Sequence, residues 1–369
     1  MAEIHGVKFV DIPSQYVDIE EKIIAAITNL IRTGAFVGGP VLADFETKLA
    51  EYLGTKFAVG CSDGTSALML SLLAACMGHG DIAIIPANTF IATANAVIHA
   101  GGTVALVDCD PKTYLIDLNQ TEEVLRSGKA KFIIPVHLYG NPCPMVEIMS
   151  LADKYGAKVV EDNAQAIGAE INGKRTGSFG LAGGVSFYPA KNLGAFGQGG
   201  AILTSDEYIA TSARMYIEQG QGSQKYHHEV IGYNARLHAI QACVLSILLD
   251  KLNELNAARC RAAQWYAEHL PADRIQQPTK GGTHVYHLFE YRCDGKAQRD
   301  ALANALKAAN IGFGYHYPIP IHKQNAYLKL NRLSFPVAER LADTLISLPM
   351  HPGLTESQVK QVCDVVLSL

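Results

Sequence analysis

The run Phe57-Ala-Val-Gly-Cys-Ser-Asp-Gly-Thr-Ser-Ala67 sets the pattern that decides the fold. A short apolar stretch leads into a turn of small and polar residues, and a helical apolar pattern follows from Thr65 to Met77. The unit recurs downstream, where Ala83-Ile-Ile-Pro86 precedes a helical pattern over Ile91 to Ala100 and Val104-Ala-Leu-Val107 comes next. Phe132-Ile-Ile-Pro-Val136, a helix around Met145 to Tyr155 and Lys158-Val-Val-Glu161 continue it. Short apolar runs alternating with helical periods are strands of a mainly parallel sheet whose two faces are covered by helices. The expected class is α/β.

Outward from this block, Ile19, Ile23, Ile27, Leu30 and Ile31 share one face of a helical period that stops at Gly34. The strand-rich part ends by about residue 205. A long amphipathic stretch runs from Ala239 to about Leu270, and two more helical patterns cover Gln298 to Asn310 and Thr355 to Leu369. Thr355-x-x-Gln358 has the spacing of a capping box. The chain is expected to divide into a large domain, residues 1–250, and a smaller carboxy-terminal domain, residues 251–369, with no internal repeat.

Composition narrows the function. Hydrophobic residues at 49% and charged residues at 18% are those of an ordinary folded protein, not a disordered or fibrous one. A formal charge of −4 with no concentrated basic stripe argues against nucleic acid as a partner. Eight cysteines are scattered with no C-x-x-C pair, several inside apolar runs, and read as reduced core residues and not as disulfides or a zinc site. No metal site is expected. The amino terminus, Met-Ala-Glu-Ile-His-Gly, has no leader-like segment, and no apolar run is long enough to span a bilayer, so a cytoplasmic protein is expected.

Three local features carry chemistry once taken together. Gly60-Cys-Ser-Asp-Gly-Thr-Ser-Ala67 joins a strand to a helix, and the free amides of a helix start can hold a phosphate. Alone it reads as an ordinary strand-to-helix turn. Val159-Val-Glu-Asp-Asn-Ala-Gln165 delivers an acid at the carboxyl end of a strand, where open parallel sheets place their ligands, though a lone acid there is also a common helix cap. Val185-Ser-Phe-Tyr-Pro-Ala-Lys-Asn-Leu-Gly194 sets one lysine between an apolar strand and a glycine-rich turn, a place where most lysines are merely solvated. An amine, an acid and a phosphate anchor on rigid elements around one pocket are what pyridoxal phosphate (PLP) requires.

The chain resembles the DegT/DnrJ/EryC1/StrS sugar aminotransferases, a fold type I PLP group. The resemblance runs in order through Gly34-Ala-Phe-Val-Gly-Gly-Pro40, Gly64-Thr65, Pro86-Ala-Asn-Thr-Phe90, Glu161-Asp-Asn-Ala-Gln165, Ser186-Phe-Tyr-Pro-Ala-Lys191, Gly232-Tyr-Asn-Ala-Arg-Leu237 and Tyr315-His-Tyr-Pro-Ile-Pro320. It implies a smaller α+β carboxy-terminal domain and a homodimer with shared active sites. Lys191 would be the Schiff-base lysine and proton carrier, with Asp162 pairing the pyridine nitrogen. Gln165 would contact the ring or its hydroxyl, Phe90 would stack on the ring, and Gly64, Thr65 and Ser186 would hold the phosphate. Asn234 would reach the partner's cofactor phosphate. Arg236, His316 and Tyr317 would contact the nucleotide sugar, although His316 and Tyr317 also read as loop packing beside Pro318 and Pro320. The chain departs from the family habit at His238, where an acid is common, and at Asn163, where alanine is common.

The implied reaction moves an amino group from an amino acid, glutamate by resemblance, through pyridoxamine phosphate to a nucleotide-linked keto sugar. The stretches Lys225 to Leu237 and Tyr315 to Gln324 look more like relatives acting on 3-keto than on 4-keto sugars, with UDP and dTDP both open. Three other readings compete. A PLP-dependent sugar dehydratase commonly has histidine where this chain has Lys191. A non-catalytic PLP-binding regulator would lack a catalytic residue or carry a DNA-binding segment. A nucleotide-sugar oxidoreductase would show a G-x-G-x-x-G fingerprint, which is missing here.

Overall fold

The structure, a computed structural model, describes residues 6–369. The amino-terminal residues 1–5, read above for a leader, lie outside the described residues. Five of the apolar runs become strands β1 (Phe57–Cys61), β2 (Ile82–Pro86), β3 (Thr103–Val107), β4 (Ala130–Ile133) and β5 (Lys158–Asp162). Between β5 and the next long strand lies a small hairpin, β6 (Glu170–Ile171) and β7 (Lys174–Arg175). Strands β8 (Ala182–Ser186) and β9 (Gly200–Thr204) complete a seven-stranded sheet in the order β1-β9-β8-β5-β4-β2-β3.

Pairing from β3 through β8 is parallel, while β9 runs antiparallel to both β1 and β8. Parallel neighbours need a crossover, and helices supply it; β8 instead returns through the loop 187–199, which lets β9 reverse direction without one. That loop carries Lys191.

The helix Gly64–Ala74 is apolar nearly all round and buried, packed on β8 and β9 and against the helices Ile91–His99 and Glu207–Ile217. Its close approach to the sheet depends on glycine. A Cβ on Gly184 would stand 2.8 Å from Leu68 Cδ2, and one on Gly64 would stand 2.6 Å from Ser186 Cβ.

The helix expected from Ile19 to Ile31 spans Glu20–Thr33 and ends on Gly34, whose φ of 68° is left-handed as a helix-terminating glycine allows. The Ala239–Leu270 stretch is not one helix but two, Ala239–Leu249 and Leu252–His269. The first packs against the helices Glu20–Thr33 and Pro40–Leu53, the second against Glu356–Leu367, so the break lets consecutive segments serve different cores. The capping box is present, with Thr355 Oγ1 accepting from the Gln358 amide.

β10 (Gly282–Thr283) adds to the β6–β7 hairpin, and β11 (Phe289–Arg292) pairs antiparallel with β12 (Leu345–Leu348). Around β11 and β12 the helices Leu252–His269, Lys296–Ala308 and Glu356–Leu367 close a separate core that includes Tyr266, Phe289, Leu306, Ile346 and Val362, joined by Val7 from the chain start. Cysteines 61, 109, 143, 243, 293 and 363 are buried, but Cys76 is exposed just beyond a helix end and Cys260 is half-buried, correcting the expectation of a wholly internal set. Among the described residues no helix is long and apolar enough to cross a membrane, and no cluster of metal-ligating side chains occurs.

Candidate active site

The carboxyl ends of β5 and β8, the start of the helix Gly64–Ala74 and the segment around His316 enclose a cavity of about 690 Å³. It brings together Gly64, Thr65, Phe90, Asp162, Gln165, Ser186, Lys191, His316 and Tyr317. A second hollow of about 700 Å³, around Asp110, Asn119, Glu147 and Lys280, holds none of the residues singled out by sequence.

Period-two alternation along β5 separates two adjacent acids. Glu161 is fully buried on one side, where it accepts from His137 Nε2 and from the amides of Gly177, Phe179 and Gly180, a structural anchor for that turn. Asp162 is on the cavity wall. Thr93 Oγ1 donates to its Oδ2 at 2.7 Å and the Ala164 amide to its Oδ1 at 3.1 Å. Burial raises the Asp162 carboxyl above its usual range, opposed by these hydrogen bonds and by the charge of Lys191. A cationic group in the cavity would pull it back toward the ionised form.

Burial also lowers the Lys191 ammonium to about 8, opposed by Asp162, so a useful fraction of neutral amine exists near neutrality. Its Nζ lies 3.5 Å from His287 Nε2. His287 is kept neutral by burial and by the positive charge of Lys191. The Asn192 amide donates to Val285 O and Asn256 Oδ1, which turns its oxygen toward His287 Nδ1 at 3.2 Å and leaves Nε2 as an acceptor for the lysine.

The residues fit pyridoxal phosphate. An amine and a buried carboxylate line the same cavity, and a phosphate-sized anion finds a cradle where the helix Gly64–Ala74 begins beside Ser186. Asp63 caps that helix by accepting from the Ser66 amide, leaving the preceding amides of Gly64 and Thr65 without intrahelical partners. The missing Cβ of Gly64 keeps the cradle open toward Ser186.

A profile of the DegT/DnrJ/EryC1/StrS aminotransferase family matches residues 17–367. The chain belongs to that family. UDP-N-acetyl-3-dehydro-alpha-D-glucosamine 3-aminotransferase of Acidithiobacillus ferrooxidans is 41% identical, covering 99% of this chain and 98% of its own. DesV of S. venezuelae, solved in complex with a ketimine intermediate, is 37% identical and matches 98% of each chain with a TM-score of 0.93. NtdA of Bacillus subtilis, solved with bound cofactor PMP, is 30% identical with a TM-score of 0.91 over 99% of this chain and 85% of its own.

In this DegT/DnrJ/EryC1/StrS aminotransferase, Gln165 is already engaged by protein, accepting from the Tyr139 amide and donating to the Tyr317 hydroxyl at 2.9 Å. Phe90 and Tyr317 have ring centroids 5.1 Å apart, and Phe90 is 49% exposed, a free face for a ligand ring. Asn234 and Arg236 do not line the cavity of their own chain; Asn234 is exposed and Arg236 Nη2 donates to it at 3.4 Å. His238 is exposed at the start of the helix Ala239–Leu249. Asn163 is buried and spent on Thr176, donating to its carbonyl and accepting from its hydroxyl.

Sequence reasoning missed Thr93, His287 and Asn192. Thr93 sits inside a helix, where a threonine carries no signal, and His287 is far along the chain from the lysine it faces. The chemical oddity of a histidine within the apolar run Val285-Tyr-His-Leu-Phe289 is the one signal that could have found it.

Proposed function

We propose that this chain is a PLP-dependent aminotransferase that moves an amino group from an amino acid, L-glutamate, to C3 of a UDP-linked 3-keto sugar. The observation that carries the reading is the convergence of the Lys191 amine and the Asp162 carboxylate on one cavity beside the Gly64–Ser186 cradle. The likeness to a UDP-sugar 3-aminotransferase over nearly the whole chain supports the acceptor. When bound, pyridoxal phosphate supplies a carbonyl that takes up nitrogen and a ring that spreads the charge left when a C–H proton departs.

The chain's own groups do the rest. Lys191 would hold the cofactor through Nζ and, when free of it, would carry protons there; its lowered basicity suits both tasks. Asp162, oriented by Thr93, accepts from the ring N–H and keeps that proton in place. Gly64, Thr65 and Ser186 bind phosphate, Phe90 stacks on the ring, and Gln165 braces the ring edge together with Tyr317. His316 and Tyr317 contact the sugar. Asn234 and Arg236 act on the partner's site in a cytoplasmic homodimer, Asn234 on the phosphate and Arg236 on the nucleotide. Residues 1–250 form the cofactor domain and 251–369 the small domain.

The test is direct. Borohydride reduction of the PLP-loaded protein, followed by peptide mass analysis, should fix the cofactor on Lys191, and Lys191→Ala should bind PLP reversibly without turnover. A paired panel of 3-keto and 4-keto UDP sugars with glutamate should show amination of the 3-keto member. Cofactor attached elsewhere would overturn the site, and turnover of 4-keto sugars alone would overturn the C3 assignment.

A further inference from the structure

Behind His316 the small sheet buries a carboxyl group that amino transfer does not require. Glu290 on β11 lies directly across from Ser347 on β12, and both are buried. On its other edge Ser347 exchanges backbone hydrogen bonds with Gly314, two residues before His316. This register aligns three side chains. Glu290 Oε1 is 2.5 Å from Ser347 Oγ, and Ser347 Oγ is 2.6 Å from His316 Nδ1. His316 lies on the cavity wall, its ring stacked near Phe9, with Nε2 the nitrogen left for a ligand.

The other carboxyl oxygen, Glu290 Oε2, is buried with no partner. As part of an anion it would be an unsolvated charge, which is costly in a low dielectric. As the carbonyl oxygen of a neutral acid it is merely under-used, which protein interiors tolerate better.

We propose that Glu290 and Ser347 are positioning residues, a proton relay that decides whether His316 donates or accepts in the active-site cavity. With Glu290 as the acid, its O–H donates to Ser347 Oγ, the Ser347 hydroxyl donates to His316 Nδ1, and the imidazole proton sits on Nε2. His316 then donates to an acceptor oxygen of the substrate. When one proton is lost, the Glu290 proton passes to Ser347, the Ser347 proton passes to His316 Nδ1, and Nε2 gives its proton to water. Only O–H and N–H bonds change, one proton leaves in all, and His316 becomes an acceptor. The inference rests on reading this cavity as the substrate site, but not on which sugar fills it.

The surroundings favour the neutral pair near neutrality. Burial raises Glu290 to about 8 and lowers His316 to about 4, the latter helped by Lys191. Tyr114, Tyr139 and Tyr317 face Glu290, and burial lifts all three well above the ordinary tyrosine range, Tyr114 to about 12. Lys191 and His287 face His316; His287 stays neutral, whereas Lys191 at about 8 titrates in the same range as Glu290. That overlap belongs to the cofactor-free protein, and loading with PLP, which occupies the Lys191 amine, removes it.

The experiment uses the PLP-loaded protein carrying ¹⁵N-labelled histidine, with the His316 signals assigned through His316→Gln. Wild type should show the Nε2–H tautomer at neutral pH and convert to Nδ1–H with a midpoint near 8. In Glu290→Gln the amide nitrogen should donate to Ser347, leaving its oxygen at the unpartnered position, so Nε2–H should persist throughout. Ser347→Ala should also abolish the step. KM for the keto sugar should rise roughly five- to tenfold across the step in wild type, with kcat little changed, and stay flat in Glu290→Gln, the scale of one hydrogen bond. Should Glu290→Gln fail to fold, Ser347→Ala carries the same comparison. A step that survives in the folded variants belongs to another group and overturns the relay, as does Nδ1–H in wild type at every pH. An intact step in a protein that aminates no keto sugar would instead overturn the functional reading and leave the relay standing.

Discussion

Thr93 shows how much of the site depends on a single hydroxyl. It donates to Asp162 at 2.7 Å and takes a hydrogen bond from Thr89, 2.9 Å away, so its proton is committed to the carboxylate. Thr93→Val keeps the shape and removes the donor. Hydrogen bonds to charged groups are worth about 1.5–3 kcal/mol, so PLP affinity should fall by roughly tenfold or more, read by titration of the cofactor into the apoprotein, with the fold intact. Lys191 gives a second prediction, for the cofactor-free protein. Its folded value of about 8 lies below the ordinary lysine range, so the unfolded chain binds more protons between those limits. The cost to stability is therefore full below pH 8, fades as pH rises from there toward the unfolded value and is gone above it. Lys191→Met should stabilise the cofactor-free protein at neutral pH by on the order of 1–2 kcal/mol, allowing for solvent at the cavity, and the gain should shrink in alkali when melting is followed against pH. At this scale Lys191 and Asp162 were legible only in company, since each alone reads as a solvated lysine or a helix cap and it is the amine, the acid and a phosphate-holding turn in one chain that point to PLP. Thr93 and His287 were not, since each takes its meaning from a neighbour far away in sequence, Asp162 for one and Lys191 for the other.

Among the elements, the helix Gly64–Ala74 couples fold to site. Its apolar girdle buries it under β8 and β9, and Gly184 and Gly64 let it come close enough for its first turn to stand against Ser186. A Cβ at Gly64 would meet Ser186 Cβ at 2.6 Å, nearer than such atoms can approach, so the helix start must tilt away. Gly64→Ala should cost roughly 1–3 kcal/mol by overpacking and weaken PLP binding more than it lowers the melting temperature of the apoprotein. Equal losses in both would mean that the cradle is not formed there. The alternation of strands and helices was readable because each has its own hydrophobic period. The break between Ala239–Leu249 and Leu252–His269 was not, because no glycine or proline marks it. What breaks the helix is the division of labour between two cores, and that is decided by partners elsewhere in the chain. The antiparallel β9 was hidden for a related reason, since strand direction follows from how the Lys191 loop returns and not from the apolar run itself.

At the scale of the whole molecule, the cavity is assembled from both ends of the chain, with Gly64 and Asp162 at one wall and His287, His316 and Tyr317 supplied by the carboxy-terminal third. Asn234 and Arg236, proposed to act on a partner's site, remain outside it. Near them in the chain Ile231 is 94% exposed, and Val37, paired by a bridge with His238, is 54% exposed, while Ile24 and Ile31 stand out from the helix Glu20–Thr33, which packs on the helix Ala239–Leu249. Exposed large apolar side chains are what a partner subunit would cover. If two chains pair symmetrically, each can lend Asn234 to the other's phosphate cradle. Mixing then separates this arrangement from one confined to a single chain. Lys191→Ala lacks the reacting amine, and Asn234→Asp would set a negative charge against the phosphate, so each homodimer should be nearly inactive. In a heterodimer one site inherits both lesions and the other inherits neither. After random exchange of subunits, activity should recover to about a quarter of wild type, because half the dimers carry one intact site of two. No recovery, despite exchange seen by mass spectrometry, would place Asn234 outside the partner's site.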